Sequence, residues 1–305
     1  MRKFIIKAII FFVLLTVIIL YFSSKYKEVV DIHSDYMAAI IDKHRRLEAY
    51  DSNRILLAGG SNVAFGLNSA LLDSAFKRPV VNMGLHVGLG LTFIINELIS
   101  VVKKGDVVIF TPEYHLLNGT SEELALINHT INLYPEAKSY YPFTLLDKTG
   151  IAITNFIHYF HYKEVWLDTI YFRNGFNKYG DLISHLNKAP LATLEFSGIN
   201  IEKINLNDYQ FLLKKLYDTC IQVGASLYFT FPPLPVLDYQ NSKIAIINLQ
   251  QQLKKNMPFI KVINQPEDYV LPDSLFYNSI YHLNAKGREL RTHLLIRELK
   301  AYQTN

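Results

Sequence analysis

The stretch LLAGGSNVAFG, Leu56 to Gly66, decides how this chain is read. An apolar run stops at Gly59 and Gly60, and Ser61 follows at once. A short apolar run bounded by glycine reads as a buried strand, and Ser-Asn-Val-Ala-Phe opens a helix. Two readings fit the serine. It caps the helix of an ordinary turn, or the turn exposes it as a nucleophile whose own backbone N–H, at a helix N-terminus, is aimed at an oxyanion.

Working outward, strand-like and helix-like stretches alternate from Arg54 on. RILLAG, PVVNMG, GDVVIFTPEY, ASLYFTFPP and FIKVIN read as strands, two of them closed by proline. NSALLDSAF, with Asn68 as cap, LTFIINELISVVKK, NDYQFLLKKLYDTCIQVG, SKIAIINLQQQLKKN and NAKGRELRTHLLIRELKAY, with Asn284 as cap, read as helices. Apolar strands alternating with helices predict an α/β fold with a parallel sheet covered on both faces. Ligands of such sheets bind at the carboxyl ends of the strands, the edge on which Ser61 falls. Gly84, ending the second strand, brings another backbone N–H toward the same edge. His282, in FYNSIYHLNAKG just before the last helix, is the best placed of the ten histidines to act as base.

Residues 114–206 interrupt the alternation. A structureless loop of that length is unusual in a compact domain, so the segment is expected to be a mostly helical insertion, roofing the site. At the other end, FIIKAIIFFVLLTVIILYF (Phe4–Phe22) is long enough to cross a bilayer. It ends in YFSSKYK rather than a small-residue cleavage site, which favours an uncleaved anchor over a signal peptide. The nearly balanced flanking lysines and arginine favour a cytoplasmic N-terminus, with the large domain outside. The organisation expected is a membrane anchor over 1–27, a stalk helix over 28–53 and the α/β domain over 54–305.

Composition removes other classes. The chain has 305 residues, half of them hydrophobic, and a net charge of +4. It is long enough for a sizeable core, and no basic stretch interleaved with aromatics points to nucleic acid. The single cysteine, Cys220, makes no internal disulfide and reads as a small buried hydrophobe. His158 and His161 lie about a turn apart without companion ligands, so no metal site is expected, and no cofactor.

The segments ILLAGGSNVAFG, NMG and FYNSIYHLNAKGRELRT, in this order, resemble the SGNH (GDSL-like) hydrolase superfamily. Nearest in kind is its membrane-anchored branch of DltD-like and alginate-acetylation-like envelope proteins. The resemblance covers about Arg54–Glu113 and Ala225 onward, not the insertion. It implies a three-layer flavodoxin-like sheet, Ser61 as nucleophile, His282 as general base and Gly84 as an oxyanion donor. Two positions depart from the pattern. Where an oxyanion Asn is common, this chain has Glu113 and Tyr114. A carboxylate there repels an oxyanion unless protonated or turned away, leaving Asn62 as a substitute donor. Where an Asp precedes the His, this chain has Asn278 and Ser279. Asn278, the nearby Asp273 or a backbone carbonyl then orients His282, or the site is degenerate. The function implied is an extracytoplasmic acyl esterase or O-acyltransferase modifying a cell-surface polysaccharide, with a membrane-bound O-acyltransferase as acyl supplier. The alternative is a catalytically degenerate protein that binds envelope glycan or such a partner.

Overall fold

The computed structural model describes residues 1–118, 122–161, 169–190 and 207–303. An apolar helix α1 (Arg2–Lys25) leads into α2 (Ala39–Glu48), β1 (Ile55–Ala58), α3 (Ser61–Gly66), α4 (Ser69–Phe76) and β2 (Val80–Asn82). Then come α5 (Gly90–Val101), β3 (Val107–Phe110), α6 (Leu124–Leu133), α7 (Leu145–His161) and α8 (Asn207–Val223). β4 (Ser226–Phe229), β5 (Leu234–Pro235), α9 (Val236–Asn256), β6 (Lys261–Val262), β7 (Val270–Leu271) and α10 (Ala285–Gln303) follow.

The main sheet has five parallel strands in the order β2-β1-β3-β4-β6, and β5 pairs in parallel with β7 in a separate two-stranded sheet. Every residue of β1, β2 and β3 is buried. Successive side chains point to opposite faces, so both faces need apolar residues. Leu56, Ala58, Val108, Phe110, Leu227 and Phe229 belong to one cluster with residues of α5, α8 and α9. Ile55, Leu57, Val107, Ile109 and Tyr228 belong to another with Leu72 of α4 and Leu295 and Leu299 of α10. Helices thus cover both faces, as the alternation predicts. Cys220 is buried in the first of these clusters.

The chain leaves β1 in one direction for β2 and returns past β1 to β3. The crevice of a parallel sheet opens where the winding reverses, here between the carboxyl ends of β1 and β3. At the opposite ends of these strands, Arg54 and Asp106 form a buried ion pair at 2.6 Å. The Arg54 guanidinium also donates to the carbonyls of Leu47 and Val101. Asn284 caps α10 by accepting from the Gly287 N–H at 3.1 Å. Asn68 makes no side-chain cap; its N–H donates instead to Thr292 Oγ1.

Two expectations about organisation change. The stretch 28–53 does not run as a stalk. Its second half, α2 and the turn leading into it, is packed into the body: Met37, Ala38, Ala39, Ile40 and Leu47 are buried. Lys43 Nζ donates to the carbonyls of Asn82 and Gly180, and buried His44 pairs with Glu97 at 2.9 Å. The amphipathic pattern of α2 made a polar-faced stalk plausible, but its apolar face has a sheet edge to cover. The 114–206 interruption contributes α6 and α7, while its residues 119–121, 162–168 and 191–206 lie outside the described ones. Its stretch 169–190 is no mere roof. Buried Asp181 accepts from the Ser69 N–H and Oγ, Asn82 Nδ2 and Arg288 Nη2, binding α4, β2 and α10 together.

Helix α1 contains no buried residue and is long and apolar enough to cross a membrane. An N-terminal signal sequence satisfies the same criteria.

Candidate active site

The turn after β1 delivers Ser61 to the first position of α3. There the helix leaves its leading N–H groups unsatisfied. Val63 N–H closes the turn on the Gly60 carbonyl. The Gly60 and Asn62 N–H groups, on either side of Ser61, donate to the two oxygens of Glu113 at 2.9 and 2.8 Å. Glu113 follows β3, so the strand beside β1 supplies a carboxylate that grips the turn. Its conformation is further set from α10: Arg291 donates to Asn62 O and Oδ1 at 2.7 and 2.9 Å, and Asn62 Nδ2 donates to Thr111 O.

Ser61 Oγ lies 2.9 Å from His282 Nε2, and His282 Nδ1 lies 2.8 Å from Asn278 Oδ1. Asn278 Nδ2 donates to Tyr171 Oη at 2.9 Å. This last bond sets the chemistry. It turns the amide oxygen toward His282, and an amide oxygen only accepts. Nδ1 therefore carries the proton, and Nε2 is the acceptor facing the Ser61 hydroxyl. Asn278 thus holds the tautomer a general base requires. It brings no negative charge to stabilise an imidazolium.

The His282 ring stacks on Phe65 with centroids 3.8 Å apart and an interplanar angle of 6°. Phe65 is one helical turn beyond Ser61 on α3, the spacing that places both on one side of the helix. Burial, followed by the fields of His185 and His86, pushes the His282 pKa down to about 3. His185 packs tilted on the same Phe65 ring at 4.6 Å, its Nε2 3.0 Å from the Leu283 carbonyl, and burial takes it down to about 4. Burial raises the Glu113 carboxyl, opposed by the hydrogen bonds from Asn62 and Gly60.

The structure brings Ser61, His282 and Asn278 together and separates the other candidates. Asp273 is an exposed residue of a turn before Phe276, in the field of Asp238 and not bonded to His282. Asn62 is no oxyanion donor, because its N–H and its amide are committed to Glu113, Thr111 and Arg291. Glu113 is turned onto the backbone on either side of Ser61, where both its oxygens accept N–H groups. Tyr114 is buried, its ring stacked with Phe231 at 6.4 Å. Gly84 touches the turn, but its N–H donates to Asn82 Oδ1 at 3.0 Å, so the second donor expected there is occupied. A Cβ at Gly84 would lie 2.7 Å from Ala64 N and 2.8 Å from Gly60 O. The residue is small because the turn packs on it, not because a substrate must approach. The Ser61 N–H, at the first position of α3, has no protein acceptor among the described residues, so it is free to donate to a bound group.

Tyr171, Phe65 and Arg291 were not foreseen. Phe65 was accessible from its helical spacing to Ser61. Arg291 lies in the last helix among other basic residues, and nothing in the order of residues couples it to Asn62. Tyr171 comes from the insertion, 107 residues before its partner.

None of the protein-family models scanned matches the chain, and a search of curated proteins finds no match.

Proposed function

We propose that this chain is a membrane-anchored, extracytoplasmic serine acyl esterase or O-acyltransferase of the SGNH-like kind, acting on a cell-surface glycan. The observation that carries the reading is the Ser61–His282–Asn278 chain at the carboxyl edge of the sheet. The strand order supports a flavodoxin-like winding, the one the resemblance implies. His282 Nε2 takes the Ser61 proton as Oγ attacks an ester carbonyl. The Ser61 N–H holds the oxyanion, and collapse expels the alcohol, which leaves with the proton held on His282 Nε2, to give an acyl-serine and a neutral His282. Water or a sugar hydroxyl, deprotonated by His282, then takes the acyl group, in the second case one passed on by a membrane-bound O-acyltransferase. The anchor reading of α1 rests on its length, its apolar character and the absence of a small-residue cleavage site.

A second reading, a degenerate site that binds glycan or an acyltransferase without turnover, is favoured by the neutral Asn278 and the occupied Gly84 N–H. One experiment separates the two. The full chain in detergent is treated with a fluorophosphonate and its intact mass read, beside Ser61→Ala and His282→Ala. One adduct, absent from both variants, supports the enzyme. A folded chain that takes up no reagent sinks that reading.

A further inference from the structure

Helix α7 is packed along α1. The contact is aromatic: Phe22 of α1 meets Phe156, Tyr159 and Phe160 with centroids 6.1, 5.2 and 4.9 Å apart. Just beyond, Tyr26 is 2% exposed and hydrogen-bonds His129 Nδ1 at 2.9 Å, while His129 Nε2 pairs with Asp35 at 2.8 Å. The end of α1 is thus keyed into the body, and α7 climbs beside it.

On an adjoining face α7 is held to the body by Asn155, which is buried and accepts from Asn128 of α6 at 2.9 Å. Leu146, Ile153 and Ile157 lie about 160–180° around the helix from Asn155, at 3.6 residues per turn. They point away from the body and are 84%, 47% and 49% exposed, with Phe160 at 54%. Water is a poor solvent for such a stripe, and soluble surfaces seldom carry one of this length. It is laterally continuous with the apolar surface of α1. The two helices meet at Phe22, about 27 Å along α1 from Phe4 at 1.5 Å per residue, close to the ~30 Å hydrocarbon thickness. Tyr21, Phe22, Tyr159 and Phe160 therefore gather at the depth where aromatic rings settle between hydrocarbon and headgroups.

We infer that the Ile153–Ile157–Phe160 end of the α7 stripe is a second membrane contact, embedded in the lipid interface beside α1. This rests on α1 being a membrane anchor. A single flexible anchor leaves a domain free to tumble over the bilayer, whereas two adjoining contacts fix which face it turns to the lipid.

The test uses the full chain in phosphatidylcholine vesicles with bromine on the acyl chains. Ile153→Cys, Ile157→Cys, Val17→Cys and Ile244→Cys are made singly and labelled with an environment-sensitive fluorophore. Parent protein, whose sole cysteine is buried, serves as the unlabelled control. Ile244 is 80% exposed on α9 and reports water. The expected result is blue-shifted emission and bromine quenching at Ile153 and Ile157 approaching that at Val17, and neither at Ile244. Quenching at Val17 with Ile153 and Ile157 matching Ile244 overturns the second contact alone. Blue-shifted emission without bromine quenching at Ile153 and Ile157 means that protein covers the stripe, and also overturns it. Absence of quenching at Val17 overturns the anchor reading itself.

Discussion

His282 gives up a proton more readily than a free histidine because its cation is buried against Phe65 with no carboxylate beside it. The neutral base is therefore present at every ordinary pH. If the site turns over, kcat/KM is expected to stay flat from pH 7 to 5 and to fall only as pH approaches about 3, without the limb near 6.5 of an ordinary histidine. Such a weak base is also a poor proton acceptor in the transition state. Asn278→Asp places a carboxylate beside the Nδ1–H of His282. It is expected to move the acid limb toward neutrality and to raise turnover at least about tenfold, within the roughly ten-thousand-fold that the opposite change costs a serine protease. A pH–rate profile of both proteins against an aryl acetate checks this. No gain, with the fold intact, means that the amide was not what limited the site. Glu113 acts one step further out, by bonding the backbone on both sides of Ser61. Glu113→Gln retains one acceptor and turns an N–H₂ toward the other backbone donor. The expected cost is about 2–3 kcal/mol, from a lost hydrogen bond to a charged group. Fluorophosphonate labelling of Ser61 is expected to slow as well, and chemical denaturation separates the two effects.

At the level of elements, the site is assembled by neighbouring strand ends. The turn after β1 presents Ser61, the residues after β3 bring Glu113, and the approach to α10 brings Asn278 and His282. Gly84, after β2, is the close-packed support of α3. Gly84→Ala puts a methyl group against backbone at Gly60 and Ala64, atoms that cannot swing aside. A destabilisation of about 1–3 kcal/mol is expected from overpacking, with loss of Ser61 labelling as the turn shifts. Gly150→Ala is the comparison, since nothing lies within 4 Å of its new methyl group. Thermal melts of the pair, read with labelling rates, show whether Gly84 serves the turn. Equal, small effects contradict the packing role.

Across the whole molecule, burial of titratable groups shapes the response to acid. His282 and His185 are neutral when folded and take up protons when unfolded, so each withdraws stability as pH falls from about 6.5 toward about 3 and about 4. Each slope is about 1.4 kcal/mol per pH unit. Glu298, raised to about 7, and Asp238, raised to about 6, act in the opposite sense, because the folded chain holds their protons more tightly. The two sets offset one another between about pH 6 and 4.5. Replacing one member exposes the slope: the stability of the parent relative to His282→Gln is expected to decline on acidification from pH 6.5 to 4. Urea titrations at four pH values measure it, and a difference independent of pH refutes the buried neutral histidine.

The order of residues determined the layered α/β class, because buried strands and covering helices each leave a periodicity that no neighbour is needed to read. It also marked Ser61 and His282 as candidates, a serine at a strand-to-helix glycine turn and a histidine before the last helix, and the structure brings the two within 2.9 Å. The third member was left open among Asn278, Asp273 and a carbonyl, because direction in space, not spacing, separates them. Only the tertiary structure turned Asn278 toward His282 by means of Tyr171, committed Asn62 and Gly84 to internal bonds, and turned Glu113 from an apparent obstacle into the grip on the turn. Only it drew α2 into the body and set α7 beside α1. These are contacts between segments tens to hundreds of residues apart, and their free energy comes from burial and hydrogen-bond completion that no single segment contains.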